Sequence, residues 1–237
     1  MSTLRGAQTL CPHCGHGFAI QLYDSLSVLR LPSVRESVLD RTLHAFTCPA
    51  CRGRVVVTEP VLYTDFDRGL WVACVPEDER PNLAAHEEAV RATFEEAFAA
   101  DRSPPIVQDM RRDMRLRLVF GYEELREKVV CADHGLDDAV VELLKEQVLL
   151  GHPWLLHDGV CLLRLDAVTE EGLELRLLRA TSDTRERVAD VAVAPREVYA
   201  LLAREREELV ADNPSLFAGP YVNLMRYRLE LRPEGEG

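Results

Sequence analysis

Lysine is almost missing from this chain: of 28 basic residues only Lys128 and Lys145 are lysines, the rest being arginines. We read that bias as coding composition rather than phosphate recognition, because 40 carboxylates outnumber the basic groups and the net charge is -12. An acidic body repels phosphate backbones, which argues against nonspecific nucleic-acid binding by the surface as a whole. Long apolar runs are missing too. None approaches the ~18–20 residues that span a bilayer, and the opening stretch MSTLRGAQTLCPHC lacks the apolar core of an export signal. Nor is there a GxSxG nucleophile elbow, a P-loop or a GxGxxG dinucleotide fingerprint. These absences point to a cytoplasmic protein, away from the membrane, and lean against an enzyme.

What is present suits a globular protein: 47% hydrophobic and 29% charged residues over 237 positions, enough for one large domain or two modest ones. The charge is uneven. Residues 1–58 hold six arginines against three carboxylates, a net +3, whereas residues 59–110 hold four against twelve, a net -8. Seven cysteines without an export signal indicate a reducing compartment, where CxxC pairs bind metal or do redox work.

Those cysteines carry the strongest signal. Cys11-Pro-His-Cys14-Gly and Cys48-Pro-Ala-Cys51-Arg-Gly are two proline-containing CxxC turns separated by 33 residues. A CxxC turn aims two thiolates at one point, and a glycine after the second cysteine permits the left-handed backbone that such a knuckle uses. Two knuckles complete a tetrahedral four-thiolate site, for which one Zn2+ is the expected ion. Four protein ligands leave no open coordination position, so the expected zinc is structural, closing residues 15–47 into a loop. In the second turn Gly53 comes one position late, after Arg52, so its shape is expected to differ. His13 and His16 read as solvated loop residues, with replacement of one sulfur as the alternative. A redox-active CxxC is a weaker reading, because two similar pairs would be redundant.

The remaining pattern alternates strands and helices. Phe18–Ser27 reads as one strand and Ser33 as the N-cap of a short helix with Glu36 in a capping box. Arg54–Thr58, Val61–Tyr63 and Leu70–Val75 read as strands. Asn82 caps a helix to about Ala100 that turns Leu83, Val90, Phe94 and Phe98 inward and its glutamates outward. Ser103-Pro104-Pro105 ends it. Leu116–Phe120 is a strand, EELREKVV a short helix, and Leu136–Leu150 a second helix with Asp137 and Asp138 in its first turn. Gly159–Val168 and Leu173–Ala180 form a hairpin around Thr169-Glu-Glu-Gly172, followed by a strand at Arg187–Val193. A helix from Pro195 to Val210 and an extended Tyr221–Leu231 close the chain.

Other chemistry-bearing residues have ordinary explanations. Asp137, Asp138 and Glu142 suit a helix start; Asp65 and Asp67 suit a turn. Cys74, Cys131 and Cys161 are read as small buried residues, and Trp71 and Trp154 as core. Glu127 and Lys128 are read as surface ion-pair formers. His134, His152 and His157 are scattered.

The double CxxC together with LPSVRESVLDRTLHAFTCPAC, VVVTEPVLYTDFDRGLWVACVP, GYEELREKVV and GLDDAVVELLK resembles the CpXC domain family of bacterial proteins over residues 10 to 150. The resemblance implies a zinc-ribbon-like module and supplies no activity. Arg52 stands where that family usually has glycine, which bears on the second knuckle's shape and not on its ligands.

The expected architecture is α+β: a zinc-ribbon module at 1–78 with Cys11, Cys14, Cys48 and Cys51 on the metal, joined without a sharp boundary to a mixed body at 79–237. That body has antiparallel strands and about four helices. Strands Arg54–Thr58 and Leu70–Val75 are expected to run on into its sheet. The leading function is a non-enzymatic adaptor whose acidic helix 82–100 or Pro195 helix meets a protein partner or a second copy. A nucleic-acid contact through Arg30, Arg35, Arg41, Arg52 and Arg54 is the alternative, as is an enzyme with an unlocated site.

Overall fold

The structure, a computed structural model, describes residues 4–99, 105–152, 160–179 and 187–230. It is a mixed α+β protein with antiparallel strands and, among the described residues, eight α-helices. Its contacts divide it into two compact units, Met1–Val129 and Val130–Gly237.

In the first unit, β1 (Leu4–Leu10) and β2 (Gly17–Tyr23) form an antiparallel ribbon, with Leu10 opposite Gly17. A second, shorter hairpin pairs β4 (Ala45–Thr47) with β5 (Arg54–Val56), with Thr47 opposite Arg54. Each CxxC turn is the loop of one of these hairpins. Between them lie β3 (Ser25–Ser27) and α1 (Ser33–Leu39). A four-stranded sheet in the order β3-β6-β7-β8 takes in β6 (Val61–Asp65), β7 (Leu70–Val75) and β8 (Arg115–Phe120). Its outer pairs are parallel and its central pair antiparallel. Strands from both sides of residue 78 therefore share one sheet.

Alternation explains β6: Val61, Tyr63 and Asp65 are buried while Leu62 and Thr64 are half-buried. Asp65 accepts from the Arg68 amide at 3.2 Å and faces the Arg68 guanidinium at 3.3 Å, which is how a buried carboxylate in a turn is satisfied. After a 3-10 turn at Glu77–Asn82, α2 (Leu83–Ala97) lays Val90 and Phe94 inward, with Phe94 edge-on to Trp71 at 5.4 Å between centroids. The helix α3 (Pro105–Asp113) follows, and α4 (Tyr122–Asp133) runs through the division between the units.

The second unit contains α5 (Asp138–Gly151) and a three-stranded antiparallel sheet, β11-β10-β9. Its strands are β9 (Val160–Val168), β10 (Leu173–Arg179) and β11 (Arg187–Ala194). Leu163, Leu165, Leu173, Leu175 and Leu177 share its buried face. The helices α6 (Arg196–Arg204), α7 (Arg206–Asp212) and α8 (Met225–Glu230) follow. Asp137 is the N-cap of α5, accepting from the Ala139 amide at 2.9 Å, and it also pairs with Arg206.

Several expectations need correcting. Phe18–Ser27 is two strands, because β2 pairs with β1 whereas β3 pairs with β6, and the chain changes partner at Asp24. The Ser33 capping box does not form; Pro32 holds the N-cap position without a side-chain bond. β5 stays in its own hairpin and only β7 joins the larger sheet. The Pro195 helix is broken at Glu205 into α6 and α7. Part of Tyr221–Leu231 is helical, started by Asn223, whose side chain accepts from the Met225 amide at 2.9 Å. Strand β1 and helix α3 had no clear sequence signal. Glu127 and Lys128 are not on the surface: each is 2% exposed, because α4 also buries Glu124, Leu125 and Val129 and is covered on more than one face. Cys74 and Cys131 are buried as expected, as is Trp71, whereas Trp154, His157 and the side chain of Cys161 lie outside the described residues.

Within α5, Lys145 and Glu142 form a buried ion pair at 2.8 Å, each 1% exposed, and Glu142 also accepts from the Leu224 amide at 3.0 Å. Removing one partner of such a pair strands the other charge. Lys145→Met should lower stability by about 3–5 kcal/mol in denaturant unfolding.

Candidate metal centre

The two hairpin loops are built on one backbone pattern. In the first, the Cys11 amide donates to the His16 carbonyl at 2.9 Å and the Gly15 amide to the Cys11 carbonyl at 2.9 Å. In the second, the Cys48 amide donates to the Gly53 carbonyl at 2.9 Å and the Arg52 amide to the Cys48 carbonyl at 3.0 Å. The knuckles thus match position for position, Gly15 with Arg52 and His16 with Gly53. Both Gly15 (φ 72°) and Arg52 (φ 64°) take the left-handed conformation. The second turn does not change shape to suit its late glycine; Arg52 adopts the conformation that glycine would adopt without strain.

This geometry brings all four sulfurs together. They lie within 4.8 Å of one another, with Cys11 Sγ 3.6 Å from Cys51 Sγ and Cys14 Sγ 3.7 Å from Cys48 Sγ. A metal held by four thiolates at about 2.3 Å needs sulfur–sulfur edges of about 3.8 Å, so the cluster has the dimensions of a tetrahedral site. Among the described residues it is the one cluster of three or more cysteine, histidine or carboxylate side chains placed to hold an ion. Both of these contacts join one knuckle to the other, as a shared ion requires.

One side of the centre is sealed and the other faces solvent. Cys11 and Cys48 are buried beside Val55, with Phe18 and Val57 packed against them, whereas Cys14 and Cys51 are exposed. Amide donation from Cys51, seconded by Ala50, brings the Cys48 thiol down to about 6. At Cys14 the His16 amide acts in the same sense, but desolvation of the sulfur by its neighbours and its hydrogen bonds to Cys51, Cys11 and Cys48 outweigh it and push the thiol up to about 12. Four sulfurs this close cannot all ionise alone; a divalent cation removes that conflict. By contrast, burial raises the Cys74 thiol well above its ordinary range, as expected of a core residue and not a nucleophile. His16 is exposed, and the His13 Nε2 is engaged 3.2 Å from the Arg54 carbonyl, so the structure gives neither the place of a sulfur.

His44 joins the second hairpin to β2 and to the start of α4, a role its sequence did not announce. Its ring is 5% exposed; Nε2 accepts from the Tyr23 amide at 2.8 Å and Nδ1 lies 2.6 Å from the Tyr122 hydroxyl. With Nε2 accepting, the ring proton sits on Nδ1 and is donated to Tyr122. The Tyr122 hydroxyl in turn donates to the Glu59 carbonyl at 3.1 Å and accepts from the Glu59 amide at 3.0 Å. Burial, with the nearby charge of Arg5, brings His44 down to about 4.

Two outcomes follow. The fold favours neutral His44, so its contribution is complete above the unfolded value of 6.5 and is lost as the pH falls from there towards about 4. Melting temperature should drop across that window, and His44→Asn, which tolerates the positive φ of 48° at this position, should show a shallower drop. Arg52→Gly should keep the metal and raise stability by up to about 1 kcal/mol in thermal unfolding, because it relieves the left-handed strain.

Comparison with known proteins agrees with this site. The CpXC family, described as "CpXC protein", matches residues 9–145, which takes in both knuckles, the four-stranded sheet and most of α5. An uncharacterised protein of Treponema pallidum (strain Nichols) is 24% identical over 210 residues, covering 89% of this chain and 93% of the relative. No solved structure matches. With two paired CxxC knuckles converging on one point and the family match running over more than half its length, this chain belongs to the CpXC family.

Proposed function

We propose that this chain is a zinc-ribbon protein in which one structural Zn2+ on Cys11, Cys14, Cys48 and Cys51 shapes a protein-interaction module. On this reading it works in the cytoplasm as an adaptor without chemistry of its own. The carrying observation is the four-sulfur cluster itself: four protein ligands at tetrahedral spacing leave no coordination position for substrate or activated water.

The surface of the module supports a protein partner. Leu10, beside Cys11, is 72% exposed, and Val56, in the hairpin of the second knuckle, is 51% exposed. Exposed aliphatic side chains held on a rigid metal-bound loop suit an apolar contact. The nucleic-acid alternative has less to stand on, since several arginines of this region are engaged within the chain. Arg5 bridges Asp24 at 2.7 Å and Glu59 at 2.8 Å, Arg41 pairs with Glu123 at 2.8 Å, and Arg54 bonds the Arg41 carbonyl. No helix among the described residues is long and apolar enough to cross a membrane.

The test has two parts. Elemental analysis of the full chain should find one zinc per chain. Capture of the tagged chain under native conditions should recover a stoichiometric protein or a second copy, and Leu10→Asp with Val56→Asp should abolish that recovery while leaving the zinc in place. A zinc-loaded chain that is monomeric in sizing and recovers nothing counts against the adaptor reading.

A further inference from the structure

Besides Gly15 and Arg52, the matched knuckles differ at two further positions, and these two differences fit each other. His13 of the first corresponds to Ala50 of the second, and His16 of the first corresponds to Gly53 of the second. The larger side chain of the first pair crosses to the opposite knuckle. His13 Nε2 lies 3.2 Å from the Arg54 carbonyl, and because a carbonyl can only accept, Nε2 carries the proton and donates. The imidazole then lies over the bare Cα of Gly53. A Cβ at that position would stand 2.5 Å from His13 Cδ2, 3.2 Å from His13 Cγ and 3.2 Å from Cys51 Sγ. Gly53 does not have a positive φ, so its lack of a side chain answers to space and not to backbone conformation. The late glycine that looked like an imperfection in the motif is the seat for a histidine from the other knuckle.

We propose that His13 is a positioning residue for the metal: it clamps the second knuckle, and with it the exposed ligand Cys51, onto the first. This rests on the zinc reading above. Cys11 and Cys48 are held by the buried cluster around Val55, whereas Cys14 and Cys51 face solvent, so Cys51 is the exposed ligand of the second knuckle. His13 ties the two knuckles across that opening without running through a sulfur. It packs against the turn that carries Cys51 and resists its departure, so it slows metal loss without ligating the ion.

The experiment uses the full chain loaded with Zn2+ and follows release of the metal to an excess of chromogenic chelator for wild type, His13→Ala, Gly53→Ala and the double variant. Loss of the hydrogen bond and of the ring packing should speed release in His13→Ala by about 2- to 10-fold. Gly53→Ala should also speed release in the wild-type background. In the His13→Ala background it should add less, because the ring is gone and only the 3.2 Å approach to Cys51 Sγ remains. In the Co2+-loaded proteins the four-thiolate charge-transfer bands should be the same with and without His13. Unchanged release in His13→Ala, or an equal effect of Gly53→Ala in both backgrounds, overturns the clamp while leaving the zinc reading standing. A His13→Ala chain that does not fold overturns a role confined to retaining metal, and cobalt bands that change on removing His13 would make it a ligand instead. A wild-type chain that takes up no zinc overturns the metal reading and the clamp with it.

Discussion

Four sulfurs from two stretches of chain must meet at one point, and that constraint organises the first unit. The 33 residues between Cys14 and Cys48 are closed into a loop by it. Isolated two-stranded hairpins are marginal in water, the second one here above all, since β4 and β5 have three residues apiece. The neighbouring apolar cluster is correspondingly small, with Cys11, Cys48 and Val55 at its centre. A core of that size does not fix a loop geometry by burial, so the meeting of the four sulfurs has to supply the rest.

Around this point the unit is joined by polar contacts of specific shape. His44 links the second hairpin to β2 through Tyr23 and to the start of α4 through Tyr122, and Tyr122 closes on both backbone groups of Glu59. Arg41, three residues before His44, reaches Glu123 on the same helix. The two cysteine hairpins are thereby held to each other and to α4 by groups whose hydrogen-bonding capacity is used. Such networks fix orientation more than they add stability.

The sequence was most informative where spacing alone carries the chemistry. Two CxxC turns, each beside β-forming residues, announce converging thiolates, and the alternation in VLYTD and LWVACV announced β6 and β7. It was least informative where a neighbour decides. Phe18, Ile20, Leu22 and Leu26 share one parity and read as one strand, yet the segment serves two sheets because its pairing partners change at Asp24, the polar residue on that parity. Glu127 and Lys128 are polar, but α4 is covered on more than one face, so their charges are buried. Asn223 starts a short helix that local composition gave no reason to expect. The role of Gly53 was hidden for the same reason. Read along the chain it is a glycine one place late; in space it faces His13 from 40 residues earlier.

The central claim is that these four cysteines act as one tetrahedral metal site, and X-ray absorption at the metal edge tests it most directly on the chain as purified. The account predicts a zinc edge whose first shell contains sulfur alone, four atoms at about 2.3 Å. A first shell of oxygen or nitrogen, or a chain carrying no metal and four thiols open to rapid alkylation, would contradict it.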